Sequence, residues 1–368
     1  MCMEPVPFND PSRAVLAQHH ELTAAFDAVL RSGRYILGPE VEAFEHEFAA
    51  WVGGRQVVGV GNGSDALEIA LRAAGVSAGH EVVTVANAGG YTSTAAHAIG
   101  AVPVYADVLD HNLLIDPAAV AAAVTRHTRA VVVTHLYGQV ADVAAVRRAV
   151  SDHIAVIEDC AQAHGASSLG VPVGTMGDLA TFSFYPTKNL GGIGDGGAVA
   201  ASEHHAAHVR RLRTYGWGAK YRIDDVGGRN TRLDEVQAAL LRVRLRTLLQ
   251  GNLRRHHIAA TYRAAAPHLQ WVGDLDDNVH HLCVLRVAQR DAVRLQLAEH
   301  GVGTDVHYPI ADHHQPAWAT ENPPSLPVTE RATGEILSVP CFPELTDDEV
   351  ARVAAALAAL TTTSHPQS

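Results

Sequence analysis

The sequence predicts an α/β fold: a mostly parallel sheet sandwiched by helices, with a smaller C-terminal domain. Three observations predict it. Seven short apolar runs recur between residues 57 and 202, Ala/Leu-rich stretches of helical length separate several of them, and the pattern loosens beyond about residue 245. Short β-branched runs alternating with helices point to parallel strands covered on both faces. A chain of 368 residues also exceeds what one core usually organises. Residues 1–245, an N-terminal segment plus the seven-stranded sheet, are therefore expected to form a large domain, and residues 246–368 a small one.

The runs, in order, are VVGVG (57–61), EVVTVA (81–86), VPVYADV (102–108), AVVVTHLYG (130–138), IAVIEDCA (154–161), ATFSFYP (180–186) and GGAVAAS (196–202). Ser64–Gly75 and Asp116–Val124 read as helices between them. A long helix is expected from Arg232 through about Tyr262, carrying RLDEVQAALLRVRLRTLL. Next come a strand in HHLCVLRV, a helix over Asp291–His300, a Pro-rich surface loop in ENPPSLPVT and a final amphipathic helix over Asp347–Leu360.

Composition closes off several classes of function. The chain is 47% hydrophobic and 18% charged, ordinary for a globular protein. No apolar run approaches the roughly 20 residues needed to cross a bilayer. The start, MCMEPVPFND, lacks the basic-then-apolar pattern of a signal peptide, so a cytoplasmic location is expected. Cys2, Cys160, Cys283 and Cys341 form no CxxC pair, which gives neither a disulfide framework nor a thiolate metal site. A net charge of −11 argues against nucleic acid as a partner. Many of the 23 histidines are adjacent pairs, such as His204–His205, His256–His257 and His313–His314. Neighbours do not share a helix face and HExxH is absent, so no metal is expected.

Three stretches carry the chemistry. In GVGNGSDALEIALRAAG a strand runs through Gly61-Asn62-Gly63-Ser64 straight into a helix, whose first N–H groups and dipole suit a phosphate. A dinucleotide fingerprint fails, because the third glycine, needed at 64, is serine. The plainer reading is a tight turn with Ser64 as N-cap. In AVIEDCAQAHG an apolar strand ends in Glu158 and Asp159. A buried carboxylate needs a partner, so Asp159 either satisfies a nearby loop or arginine, or meets a cationic ligand group. Gln162, three residues on, would reach the same pocket if the chain curls there. The third stretch is FSFYPTKNLGGIGDGG, where Lys188 precedes a burst of glycines. Only Lys188 and Lys220 are lysine; the other 26 basic residues are arginine. An amine that must lose its proton and attack a carbonyl cannot be a guanidinium. Lys188 therefore reads as a nucleophilic amine, and Lys220, in GWGAKYR, as a solvated loop residue. A phosphate cradle, a strand-end acid and a lysine 29 residues later are together what pyridoxal 5′-phosphate requires.

With these motifs in hand, the chain resembles the DegT/DnrJ/StrS nucleotide-sugar aminotransferase family of fold type I pyridoxal-phosphate enzymes over nearly its whole length. The likeness includes SGRYILGPEVEAFEHEFAAWVG, GNGSDALEIAL, THLYGQVADV, EDCAQAHGA, FSFYPTKNLGGIGDGGAV, GGRNTRLDEVQAALL, VGTDVHYP and SVPCFPELTDDE. The resemblance implies that Lys188 binds the cofactor as a Schiff base and then shuttles protons. It pairs Asp159 with the pyridine nitrogen and sets Gln162 beside the ring. It gives the phosphate to Gly63, Ser64 and Ser183, stacks Tyr91 on the ring, and sends Asn230 across a homodimer to the partner's phosphate, with active sites at the interface. It implies transamination of a dTDP-linked keto-6-deoxy sugar, most closely at C3, with glutamate as amino donor. Amination of a 4-keto sugar and cofactor-dependent sugar dehydration are the alternatives; a cofactor-binding regulator without turnover is a further one. Histidine in place of the lysine marks the dehydrating relatives, and Lys188 sets this chain on the aminotransferase side. His164 reads as a satisfied neighbour of the site, and Asp195, where many relatives have glutamate, receives no role.

Overall fold

The computed structural model describes residues 4–360; Cys2 lies outside the described residues. All seven apolar runs are strands of one sheet: β1 (Gln56–Val60), β2 (Glu81–Val85), β3 (Val102–Ala106), β4 (Thr128–Thr134), β5 (Ala155–Asp159), β6 (Leu179–Ser183) and β7 (Gly197–Ala201). Their spatial order is β1-β7-β6-β5-β4-β2-β3. β7 runs antiparallel to both β1 and β6, and the remaining pairs are parallel. Six strands thus point the same way, and their carboxyl ends share one edge, where open α/β sheets collect ligands.

Both faces are covered, because successive side chains alternate across a strand. Ala130 and Val132 of β4 pack with Ile69, Ala96 and Val209, from the helices Gly63–Ala73, Tyr91–Ala98 and Glu203–Leu212. Val131 and Val133 face the other way, against Val120, Val143 and Val146. Near β6 and β7 that second face is closed by Phe44 and Phe48 of the helix Pro39–Ala49, set edge-on to Phe182 and Phe184.

Beyond the sheet, the strands Gln270–Trp271, Cys283–Arg286 and Ile336–Val339 form a small antiparallel sheet. Its core includes Tyr262, Leu285, Leu337 and Leu357, and Val6 of the N-terminal segment joins it. This core is not sealed off. Leu282, Val284 and Ile336 also pack in the same cluster as Val131 and Val156 of the large sheet.

Three expectations are corrected. The single long helix is two, Glu235–Leu245 and Leu248–Ala265. At the break the Thr247 hydroxyl donates to Arg244 C=O at 3.1 Å, a local bond that competes with the helical ladder. The Pro-rich segment is a loop only to Leu326; Pro327 opens the helix Pro327–Glu335, in the first turn, where its missing N–H costs no helical hydrogen bond. Asn62, not Ser64, caps the helix Gly63–Ala73, its side chain accepting the Asp65 N–H at 2.8 Å.

Candidate active site

The carboxyl edge brings most of the chemistry-bearing residues together. β1 ends in the turn Gly61–Asn62, and Gly63 starts the helix directly above the end of β6. A Cβ on Gly63 would lie 2.6 Å from Ser183 Cβ. One on Gly197, opposite both Val60 and Ser183 in register, would lie 2.4 Å from Asn62 O. Close approach of three chain segments, rather than turn geometry, demands these glycines. Gly63 and Ser64, in the first turn, have no earlier helical carbonyl to bond, so their N–H groups are free to hold an anion beside the Ser183 hydroxyl. The turn is fixed from behind by Thr231, whose hydroxyl accepts the Gly61 N–H at 2.9 Å. Arg229 adds an ion pair with Asp65 at 3.2 Å.

Asp159 is the last residue of β5 and is 5% exposed. Its Oδ1 accepts the Ala161 N–H at 3.1 Å. Burial pushes this carboxyl above its usual range, against the pull of that N–H, of Lys188 and of His135. Glu158, adjacent in the strand, faces away. It accepts from the N–H groups of Gly174, Met176 and Gly177 at 2.7 to 2.9 Å, and lies 3.0 Å from His135 Nε2. His135 Nδ1 accepts the Ala141 N–H, which fixes the Nε2–H tautomer donating to Glu158. Burial alone would raise the Glu158 carboxyl; the bonds from His135 and the glycine N–H groups hold it below its ordinary value. Of the two acids, Glu158 is fully used by the fold and Asp159 is left with capacity to spare.

Lys188 sits in the half-buried loop after β6, its N–H bonded to Tyr185 C=O at 2.8 Å. Burial lowers its amine to about 8, and the nearby Asp159 charge opposes that drop. An amine poised there has an accessible neutral form near neutral pH, as a nucleophile or general base needs.

Gln162 is buried beside this pair. Its Oε1 accepts the Tyr137 N–H at 2.6 Å, and its Nε2 donates to Tyr308 Oη at 3.1 Å. Tyr91 opens the helix Tyr91–Ala98, is 46% exposed and meets Tyr308 edge-on at 6.1 Å. Asn230 is exposed on its own chain's surface, one residue before the Thr231 that holds the phosphate turn, and is not in the cluster of Lys188 and Asp159. Lys220 is exposed, 5.0 Å from the Tyr221 ring.

Two expectations fail here. His164 is fully buried between Phe182 and Phe184, and among the described residues neither ring nitrogen has a hydrogen-bond partner. Burial drops its pKa to about 3, so the ring stays neutral. Adjacent histidines can also meet: His313 and His314 lie in one 3₁₀ turn with ring centroids 3.9 Å apart. His313 Nε2 is 3.3 Å from Glu330 Oε1.

The sequence reading missed Tyr308, Tyr137 and Asn189 as members of the site. Tyr137 Oη donates to His307 C=O at 2.5 Å, tying the β4 end to the segment that supplies Tyr308. The available signal was Tyr308 in HYP, one of nine tyrosines in a chain only 5% Phe, Trp and Tyr.

Residues 17–358 match the sequence profile described as the DegT/DnrJ/EryC1/StrS aminotransferase family. A dTDP-3-amino-3,4,6-trideoxy-alpha-D-glucose transaminase from Streptomyces venezuelae is 42% identical over 357 residues, 95% of this chain and 94% of that one. The crystal structure of DesV from the same organism, in complex with a ketimine intermediate, superposes with a TM-score of 0.93 at 41% identity, over 97% of this chain and 98% of that one. NtdA from Bacillus subtilis, with bound cofactor PMP, superposes with a TM-score of 0.91 at 30% identity, over 97% of this chain and 85% of that one.

Proposed function

The chain belongs to the DegT/DnrJ/EryC1/StrS aminotransferase family, and from that premise we propose which of its residues carry the reaction. The protein is a sugar transaminase that places an amino group at C3 of a dTDP-linked keto sugar in amino-sugar biosynthesis. Members of the family depend on pyridoxal phosphate, and the residues present fit that group. The cradle between Gly63 and Ser183 is one that a single Cβ would fill, a buried acid stands at the strand end, and the one lysine of the site has a depressed pKa.

The cofactor, when bound, supplies an electron-poor ring that stabilises negative charge on the carbon bearing the amine. The protein's part is division of labour along the carboxyl edge. The N–H groups of Gly63 and Ser64 and the Ser183 hydroxyl would hold the phosphate, and Asn230 of a second copy would complete the site across a homodimer. Asp159 would pair with the protonated pyridine nitrogen, a cation that would also relieve the cost of its own burial. Tyr91 and Gln162, both linked to Tyr308, would pack beside the ring. Lys188 would hold the cofactor through its amine and, once released, that amine, lowered to about 8, would serve as the base that takes up and returns a proton. Glutamate gives up its amine in one half-reaction and the keto sugar takes it in the other. Residues 1–245 and 246–368 serve as the large and small domains of this machine.

The observation that carries the reading is the convergence of Lys188 and buried Asp159 on a glycine-built phosphate cradle. The test is to supply a dTDP-3-keto-6-deoxyhexose with glutamate and follow the sugar by mass spectrometry. Amino-sugar product that requires glutamate supports the reading. Loss of water from the sugar without glutamate, or amination of the 4-keto isomer alone, overturns it.

A further inference from the structure

The loop that carries Lys188 is poor in local restraint. Gly191, Gly192, Gly194, Gly196 and Gly197 follow the lysine within nine residues, and glycines leave a backbone free to wander. Two external anchors hold it. Gln237, on the helix Glu235–Leu245, bonds both backbone groups of Ile193 at 3.0 and 2.7 Å. The other anchor is Asn189, next to the lysine itself.

Among the described residues, the hydrogen bonds of the Asn189 side chain all come from beyond residue 245. Its Nδ2 donates to Asn252 Oδ1 at 2.9 Å and to Val279 C=O at 3.0 Å. That orientation leaves Oδ1 to accept from His281 Nδ1 at 3.1 Å, so His281 is the Nδ1–H tautomer. Asn252 Nδ2 in turn donates to His164 C=O at 2.8 Å, closing the chain of bonds on the segment after Asp159. Buried Arg255 clamps the carbonyls of His280, His281 and Cys341 from behind. Asn252, Arg255 and His281 are all at most 8% exposed. The Lys188 charge bears on His164, His281 and His307 as well as on Asp159.

We propose that Asn189, His281 and Asn252 form a brace through which the C-terminal part of the chain seats the lysine loop, and that His281 is a positioning residue for Lys188. The brace acts through its hydrogen bonds: the His281 N–H fixes Asn189, Asn189 fixes the backbone of Lys188, and the amine stays aimed into its desolvated site. The inference rests on Lys188 being the cofactor amine.

The test is titration of the apoprotein with pyridoxal phosphate, following the absorbance of the covalent Lys188 adduct over pH, with melting temperature in parallel. His281→Ala and Asn189→Ala should each weaken adduct formation roughly tenfold, the scale of losing one buried hydrogen-bonded anchor. The pH of half-maximal adduct formation rate should move up from about 8 toward 10.5, as the loosened amine regains water. His281→Asn, whose amide N–H takes the place of Nδ1, should restore both. Asn189→Ser replaces the alanine variant if the latter does not fold. Wild-type affinity and midpoint in both variants would overturn the brace. So would a lowered melting temperature with an unmoved midpoint, or His281→Asn as impaired as His281→Ala. A wild-type chain with no Lys188 adduct overturns the functional reading itself, and is seen before any variant is made.

Discussion

Replacing Gly63 with alanine tests the phosphate cradle where it is tightest. The added Cβ would stand 2.6 Å from Ser183 Cβ, 3.0 Å from its Oγ and 3.2 Å from its Cα. Carbon atoms settle about 3.5–4.0 Å apart, so the helix start and β6 must part by about 1 Å. Overpacking of this kind costs roughly 1–3 kcal/mol. The opposing gain, alanine over glycine in a helix, is at most about 1 kcal/mol and smaller at a first-turn position. Overpacking wins, for a net loss of about 1–2 kcal/mol and a fall in melting temperature of a few degrees. Displacing Ser183 should also weaken cofactor binding. The assay is chemical denaturation of the apoprotein for Gly63→Ala, Ser183→Gly and the pair. Because Ser183→Gly removes the two nearest atoms struck, Cβ and Oγ, the double variant should be more stable than the sum of the singles by most of the overpacking cost. Wild-type stability in Gly63→Ala, or strict additivity in the pair, would refute the cradle geometry.

Other outcomes follow from the same edge of the sheet. In the apoprotein the Lys188 amine should react with an amine-specific acylating reagent with half-maximal rate near pH 8, because burial disfavours its charged form, while exposed Lys220 serves as the internal comparison. The sign for stability is the reverse of a salt bridge: between about 8 and 10.5 the folded chain binds fewer protons than the unfolded one, so stability rises with pH across that window. Glu158→Gln should destabilise by about 2–4 kcal/mol, since the amide N–H groups would face two donors whichever oxygen is replaced, Met176 and Gly177 N–H on one side or Gly174 N–H and His135 on the other. The stabilisation from the Glu158 carboxylate is present above its unfolded pKa and lost on acidification through its lowered folded one, measurable as acid unfolding that is less steep in the glutamine variant. Asp159→Asn should leave the fold intact, removing an awkward buried charge, while abolishing turnover; a fully active variant would remove Asp159 from the chemistry.

The sheet was legible because its strands are short, β-branched and separated by helices, a pattern each run carries locally. Lys188 and Asp159 were legible because each breaks a local rule, one by being lysine in an arginine-rich chain and the other by being acid at an apolar strand's end. Glu158 breaks the same rule but serves the fold; the difference lies in three N–H groups from residues 174–177, which no local pattern reveals. The expected long helix breaks at Arg246–Thr247, where the Thr247 N–H and hydroxyl both bond Arg244 C=O, in a window of otherwise good helix formers. The brace on Asn189 and the Tyr308–Gln162 contact join residues 63 to 146 positions apart, so only the folded chain brings them together.

The most direct measurement is borohydride reduction of the cofactor-loaded protein, followed by digestion and peptide mass spectrometry. The expected result is a single pyridoxyl adduct on Lys188, absent in Lys188→Ala and retained in Lys220→Ala. An adduct on Lys220, or none on either lysine, would contradict the assignment of the site.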